Sequence, residues 1–537
     1  MDLDMRKKFI FYAMASLLAI AIMALFWLPI LWSLLLVIPA IVIGLYDIWQ
    51  RKHTLRRNFP LIGRTRWVME RIRPFFRQYF IESDTDGAPI NRMFRSIIYQ
   101  RAKGELDTVP YGTEVDTYRI GYEWVSHSMA AIHLQDMHPD PRVLVGGSAC
   151  KQPYSASLLN ISAMSFGALS DNAIRALNKG AKKGGFAHNT GEGSVSPYHL
   201  ENGGDLIWQV GTGYFGCRNQ AGDFCEATFE KVACYPNVKM IEIKLSQGAK
   251  PGHGGILPAD KNTPEIARIR AVEPYTRVDS PPSHSSFSTP LEMMHFIQKL
   301  RDLSGGKPIG FKLSIGRRSE FIALCKAMIK TGIRPDFITV DGGEGGSGAA
   351  PLEYCNSIGM PLRDALAFVC DCLMGYDLKK EIRVIASGKI FTGFHVVKNL
   401  SLGADLCSSA RGMMIALGCV QSLVCNNNEC PTGIATQNRG LADGLNVADK
   451  SERVARFHGE TLKAVMEISS SAGLTTPAQF NRTHIFRRIS ESEIKRYDEI
   501  FPYMKSGSLL KPPYPERFEQ EISEASAESF QSSICTT

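Results

Sequence analysis

The sequence predicts an α/β protein, a (β/α)8 TIM barrel preceded by a transmembrane helical hairpin, and two observations carry that prediction. From Leu159 onward, short apolar runs ending in Gly, Ser or Lys alternate with helical stretches, the pattern of a parallel sheet with crossover helices. Ahead of them, the stretch from Phe9 to Tyr46 contains no charged residue. At about twice the ~20 residues one helix needs to cross a bilayer, it is too long for a single span.

Trp27-Leu28-Pro29 divides that stretch at its middle, with an aromatic suited to the interface and a Pro suited to a turn. Arg6, Lys7 and Lys8 precede it, and Arg51, Lys52, Arg56 and Arg57 follow. Positive charge on both flanks favours a hairpin with both ends, and hence the catalytic domain, in the cytoplasm. The rival readings are one span plus an interfacial segment, or a signal peptide, whose apolar region should run only roughly 7 to 15 residues. Residues 1–50 are therefore assigned to the hairpin.

Residues 51–158 form a basic juxtamembrane and lead-in region. Between Arg51 and Arg77 there are nine Lys or Arg and the single Glu70, whereas the rest of the chain, at +8 overall, is nearly balanced. Aromatics interleaved with Arg in RTRWVMERIRPFFRQYF could suggest nucleic acid. Following an apolar stretch, they read better as a helix on anionic lipid headgroups, attracted at about 1 kcal/mol per basic residue. No nucleic-acid partner is expected. The 13 Cys, without a signal peptide, argue for a reducing compartment rather than a disulfide framework.

Residues 159–474 hold eight strand candidates: Asn160 to Ser165, Phe186 to Thr190, Ile207 to Gly211, Met240 to Leu245, Pro308 to Ser314, Phe337 to Asp341, Val384 to Ser387 and Asp405 to Ser408. Barrel chemistry sits on loops at the carboxyl ends of strands, and the unusual residues fall there. Residues 475–537 read as a C-terminal extension, with a flexible tail from Glu516 to Thr537.

Three Gly-rich loops end strands six, seven and eight: DGGEGGSGAAP from Asp341, Ser387-Gly388-Lys389, and Ala410-Arg411-Gly412. Backbone N–H groups and a helix start after strands seven and eight of such a barrel are suited to a phosphate. Any one such loop reads equally well as a tight turn; three in register favour a ligand. Beyond them, Cys419, Cys425 and Cys430 are separated by five and four residues. Sulfur ligands select iron-sulfur clusters or zinc, and three without a nearby fourth Cys or His suit a cluster with one open iron corner better than a closed zinc site. Three free Cys packed as small hydrophobes is the plain alternative.

ARGMMIALGC followed by the three spaced Cys resembles the synthase region of glutamate synthases, FMN and iron-sulfur flavoproteins that aminate 2-oxoglutarate. The resemblance spans about Asn160 to Leu474 and implies an FMN-dependent type of barrel, an oxidoreductase acting on CH–NH2 donors, and a three-iron, four-sulfur (3Fe-4S) cluster on Cys419, Cys425 and Cys430. DGGEGGSGAAP is similar to the family's DGGTGASP, which implies FMN binding by Gly342 and Gly343, with Gly388, Lys389, Arg411 and Gly412 at the phosphate. SAMSFGALS matches the segment lying against the isoalloxazine, implicating Ala163, Met164 and Ser165. HNTGEGS is similar to NTGEGG, implicating Asn189 and placing Glu192 near flavin and cluster.

Lys312 in GFKLS would stabilise negative charge on the reduced ring, the kind of preorganised electrostatics that dominates catalysis; a strand-end Lys reaching for solvent is the alternative. Strand four continues into EIKLSQGAKPGHGGILP and TPEIARIR. Lys244, Lys250 and Arg270 would converge on one mouth, suited to a dicarboxylic keto acid, and the resemblance implies 2-oxoglutarate contacts for them. Where the family reads GEGGQ, this chain has His253 and Ile256, so a similar keto acid or imino acid is the alternative substrate.

Nothing in the first 158 residues matches the family's glutaminase domain, so ammonia is expected free or from a partner. No GxGxxG follows a strand, so no NAD(P)H site is expected. Electrons would arrive from a separate donor, a ferredoxin-like protein or a reductase subunit. A membrane electron-transfer module without its own amination chemistry is the reading from a different class.

Overall fold

In the computed structural model, which describes residues 4–138 and 140–531, the chain forms two units, one ending at Arg92 and one beginning at Met93. The first holds helix α1 (Met5–Ala24), a 3-10 turn (Leu28–Ser33) and helix α2 (Leu34–Trp49). Met5–Ala24 and Leu28–Trp49 are long and apolar enough to cross a membrane. They part at Trp27 to Pro29, where proline favours a break. Their apolar side chains face outward, Phe26 being 88% and Leu36 79% exposed. Gly44 lets the helices meet: a Cβ there would stand 2.0 Å from the Phe9 ring. At the end of α2, Asp47 is fully buried and accepts from Arg64 Nη2 at 2.8 Å and from Leu61 N at 3.2 Å. The basic segment forms a helix over Thr65–Phe76 with Val68, Met69, Phe75 and Phe76 exposed.

The second unit is a closed barrel of eight strands, paired in parallel throughout. In chain order these are β1 (Leu159–Ile161), β2 (His188–Asn189), β3 (Leu206–Val210), β4 (Val238–Lys244), β5 (Ile309–Leu313), β6 (Phe337–Asp341), β7 (Arg383–Ser387) and β8 (Leu406–Ser409). All eight sequence candidates are represented. β1 and β2 are shorter than expected because the chain leaves the ladder early, with Ala163, Met164 and Ser165 half-buried at the open end.

An antiparallel hairpin, Arg142–Val145 with Tyr154–Ser157, closes the amino-terminal end. Its Val145, Tyr154 and Ala156 pack with Ala187, Ile207, Met240, Phe337, Ile385 and Leu406 from the strands in one buried cluster. The carboxyl ends are left for chemistry. Helix α3 (Asp171–Gly184) packs against helix α4 (Val447–Ser471) where Gly180 brings them together; a Cβ would meet Val454 at 2.8 Å.

The lead-in and C-terminal extension share a sheet: Glu123–Val125 pairs with Ile485–Arg488, stacking Trp124 on Phe486. The expected flexible tail is corrected over 516–531. Glu516–Glu524 is helix α5, buried through Phe518 and Ile522, and Lys326 Nζ caps its end by donating to Ile522 O and Ala525 O, both at 2.7 Å. Two apolar side chains four apart supply the burial that a polar-looking composition concealed. Residues 532–537 lie outside the described residues.

Candidate active site

Inside the barrel mouth a buried carboxylate organises three strands. Glu242 on β4 is 1% exposed and accepts from Asn189 Nδ2 at 2.9 Å, Gln209 Nε2 at 2.6 Å and Thr339 Oγ1 at 2.6 Å. Asn189 is thus engaged within the barrel, its Oδ1 also accepting from Gly191 N at 3.0 Å. Next to it, Lys312 Nζ lies 3.1 Å from Asp341 Oδ2, which also accepts from Gly248 N at 3.0 Å. Burial alone would lower the Lys312 pKa. The charges of Asp341 and Glu242 outweigh it, and the pKa is raised, so Lys312 is an ammonium across the physiological range.

Four further residues meet beside this layer. Lys244 Nζ donates to Glu192 Oε1 at 2.8 Å. Burial would raise the Glu192 carboxyl, but Lys244, with Arg270 and Lys250, holds it low. Gly211 and Gly255 make room for Glu192, since a Cβ would come within 2.8 and 2.1 Å of its carboxylate. Arg270, 4% exposed, donates to Phe166 O at 2.9 Å and leaves Nε without a partner among the described residues; burial takes its pKa down to about 10. Lys250 donates to Ala349 O at 3.1 Å, and burial, with Lys244 next, lowers it to about 8. Three buried cations therefore share one carboxylate, an arrangement that solvation strongly disfavours without an anion.

The departures from the family pattern lie at the same mouth. Ile256 is half-buried in a short strand pairing Ile256–Leu257 with Val278–Asp279, while His253 meets Tyr354 edge-on at 5.3 Å. Sequence reasoning missed His284, whose Nε2 is 2.9 Å from Lys244 O and whose Nδ1 is 3.0 Å from the Tyr214 hydroxyl. Burial lowers it to about 4, so a neutral ring fixes the end of β4.

After β7, Gly388 has φ +142° and Lys389 φ +47°, left-handed conformations that turn the chain at the strand end. Arg411 Nη2 donates to Glu344 O at 2.7 Å. Burial lowers both Lys389 and Arg411, with Arg411 the next cause for Lys389. A half-buried Arg411 at the start of a helix (Arg411–Leu417), with the exposed Lys389 within its electrostatic reach, suits a phosphate. The glycines of this region mainly serve close packing. A Cβ on Gly342 would strike Glu344 at 2.4 Å, on Gly343 Gly359 O at 2.5 Å and on Gly412 Ser409 Oγ at 2.6 Å. The N–H groups of Gly342 and Gly343 donate to Ser387 O and Met360 O.

The three cysteines lie on the loop that follows. Cys430 is buried; burial would raise its thiol, but Thr432 Oγ1 at 3.3 Å and the backbone N–H groups of Ala435, Thr432 and Ile434 lower it. Cys419 is pushed up to about 11 by burial, with Cys425 and Cys430 adding to the shift. The loop packs on the segments that follow β1 and β6. Gln437 Nε2 donates to Gly167 O and Leu169 O at 3.0 and 2.8 Å, and Gly348 lies against Cys425. Among the described residues no three His, Cys, Asp or Glu are grouped to hold a single metal ion.

Residues 115–475 match the family described as the conserved region in glutamate synthase. The glutamate synthase large subunit-like protein YerD of Bacillus subtilis (strain 168) is 35% identical over 491 residues, covering 84% of this chain and 93% of that protein. The archaeal glutamate synthase (NADPH) of Methanocaldococcus jannaschii is 32% identical over 317 residues, 59% of this chain and 59% of that protein, so the chain spans little more than half of that relative. A flavocytochrome b2 variant with sulfite bound is a distant likeness, with a TM-score of 0.42 and 14% identity over 76% of this chain and 81% of that one. The chain belongs to the glutamate synthase family of oxidoreductases acting on CH–NH2 donors.

Proposed function

We propose that this chain is a membrane-anchored, cytoplasm-facing FMN and iron-sulfur enzyme that reductively aminates 2-oxoglutarate to L-glutamate, using external ammonia and a separate electron donor. The observation that carries the proposal is the pocket of Lys244, Lys250 and Arg270 around the single carboxylate of Glu192. A dicarboxylate matches that excess of positive charge. Arg270 would grip one carboxylate through its fork and Lys250 the other. Glu192, ionised at neutral pH, would stabilise the protonated imine that ammonia forms at the keto carbon.

FMN, when bound, supplies the two electrons that reduce that imine. Lys389 and Arg411 would hold its phosphate, Ala163, Met164 and Ser165 would lie along its ring, and the Lys312 ammonium would stabilise negative charge there. Gly388 and Gly412 shape the phosphate loops. Cys419, Cys425 and Cys430 would hold a 3Fe-4S cluster. The three thiols lie within electrostatic reach of one another, and the N–H groups directed at Cys430 suit a bound thiolate. The apolar helices with basic flanks support the anchor.

Ile256 and His253 favour one second reading, a different keto or imino acid at the same site. Both readings are tested by reducing the flavin with dithionite under anaerobic conditions and adding keto acids with ammonia. Rapid reoxidation by 2-oxoglutarate, faster than by any other acid, is expected. A faster response to another acid would change the substrate; no response to any acid would leave an electron relay.

A further inference from the structure

Lys261 stands outside everything assigned above. It ends a 3-10 turn (Ala259–Lys261) on the chain between the substrate-side loop and Arg270, and it is 2% exposed. Its Nζ donates to Cys425 O at 2.8 Å, Ala435 O at 2.8 Å and Ala168 O at 3.4 Å. Two of these carbonyls belong to the two arms of the cysteine loop. The third belongs to the SAMSFGALS segment after β1. A buried ammonium thus ties the loop's arms to each other and to the backbone after β1 using carbonyl acceptors, and among the described residues its charge has no carboxylate contact. Burial depresses its pKa, while Cys425, Asp260 and Cys430 oppose that depression, in that order. The positive charge therefore lies within electrostatic reach of two of the three thiols.

Building on the proposed cluster, we propose that Lys261 is a positioning residue that raises the reduction potential of the group held by Cys419, Cys425 and Cys430. One-electron reduction adds one negative charge beside Nζ and no bond is made or broken. In a low-dielectric interior a fixed ammonium favours the reduced form more than the oxidised form. Lys261 would thereby make the cluster a better acceptor from the external donor, and its contact with Ala168 O couples that device to the flavin side.

The test uses the full-length holoprotein with Lys261→Gln, which keeps an N–H donor without the charge, and Lys261→Arg, which keeps the charge. Iron content and the electron paramagnetic resonance signal of the oxidised cluster are recorded first; a wild type without iron defeats the cluster assignment itself, independently of Lys261. The midpoint potential is then measured by titration with dithionite. The expected result is a lower potential in the Gln variant, with the oxidised-to-reduced ratio at a fixed potential raised about tenfold, equivalent to about 59 mV for one electron, and a near-normal potential in the Arg variant. Loss of the cluster from the Gln variant but not from Arg also supports a role for charge. An unchanged potential in the Gln variant, or loss of the cluster from both variants alike, overturns it.

Discussion

Two pairs of buried cations in this barrel unit have nearly the same exposure and opposite surroundings. Arg301, 2% exposed, meets Asp336 at 3.1 Å, and Arg482, also 2% exposed, meets Asp371 at 2.7 Å. Asp336 stands at the amino-terminal end of β6, where Ile309 N and Gly147 N also donate to it at 2.8 and 2.7 Å. At the carboxyl ends, Lys250 and Arg270, 3% and 4% exposed, donate only to carbonyl oxygens among the described residues, and burial depresses both. Since a desolvated charge costs several kcal/mol unless it is paired, Arg301 and Arg482 are at rest in the fold, whereas Lys250 and Arg270 are the cations proposed to meet an anionic ligand.

The largest effect should come from breaking a paired cation. Asp336→Ala strands Arg301 and two backbone donors, and should cost about 3 to 5 kcal/mol of stability in a denaturant titration. Arg270→Met should behave oppositely. Keto-acid binding should weaken by about 2 to 5 kcal/mol, while the ligand-free protein melts at the same or a higher temperature because an uncompensated charge has gone. Ile256→Gln is smaller: 2-oxoglutarate binding should tighten or hardly change. If the true ligand is another acid, the stranded amide should cost about 1 to 3 kcal/mol of binding to that acid.

The smallest effect is a pH dependence. The Lys250 ammonium, with a pKa near 8 in the ligand-free protein, binds carboxylate and the neutral amine does not. Affinity should therefore hold below pH 8 and fall above it by up to about 1.4 kcal/mol per pH unit, and Lys250→Met should abolish that slope. Binding measured from pH 6.5 to 9.5 checks both statements, and a slope that survives in the variant would assign it to another group.

The same contrast explains what could be seen in the sequence. The barrel was legible because parallel strands buried on both faces read as apolar runs, and Lys244, Lys250 and Arg270 stood out as charges at their ends. Glu242 left a signal that was passed over, a carboxylate inside the apolar run VKMIEIK, which has to be satisfied internally. Lys261 left none, because a Lys that binds carbonyls from three distant segments looks like any surface Lys in sequence. Gly255 and Gly342 were recognisable as special, but their reason, the nearness of Glu192, Glu344 and Leu362, exists only after folding. The tail failed for the same reason: Phe518 and Ile522 acquire meaning from the surface they cover.

At the mouth, Lys250 and Arg270 are proposed to recognise two carboxylates at once. Titration calorimetry of the oxidised, FMN-loaded protein with 2-oxoglutarate and with 2-oxobutyrate, a keto acid lacking the second carboxylate, tests it directly. The dicarboxylate should bind at least about tenfold more tightly, a difference of about 1.4 kcal/mol, and Arg270→Met should remove most of that preference. Equal affinity of the wild type for both acids, or a preference that survives intact in Arg270→Met, would contradict it.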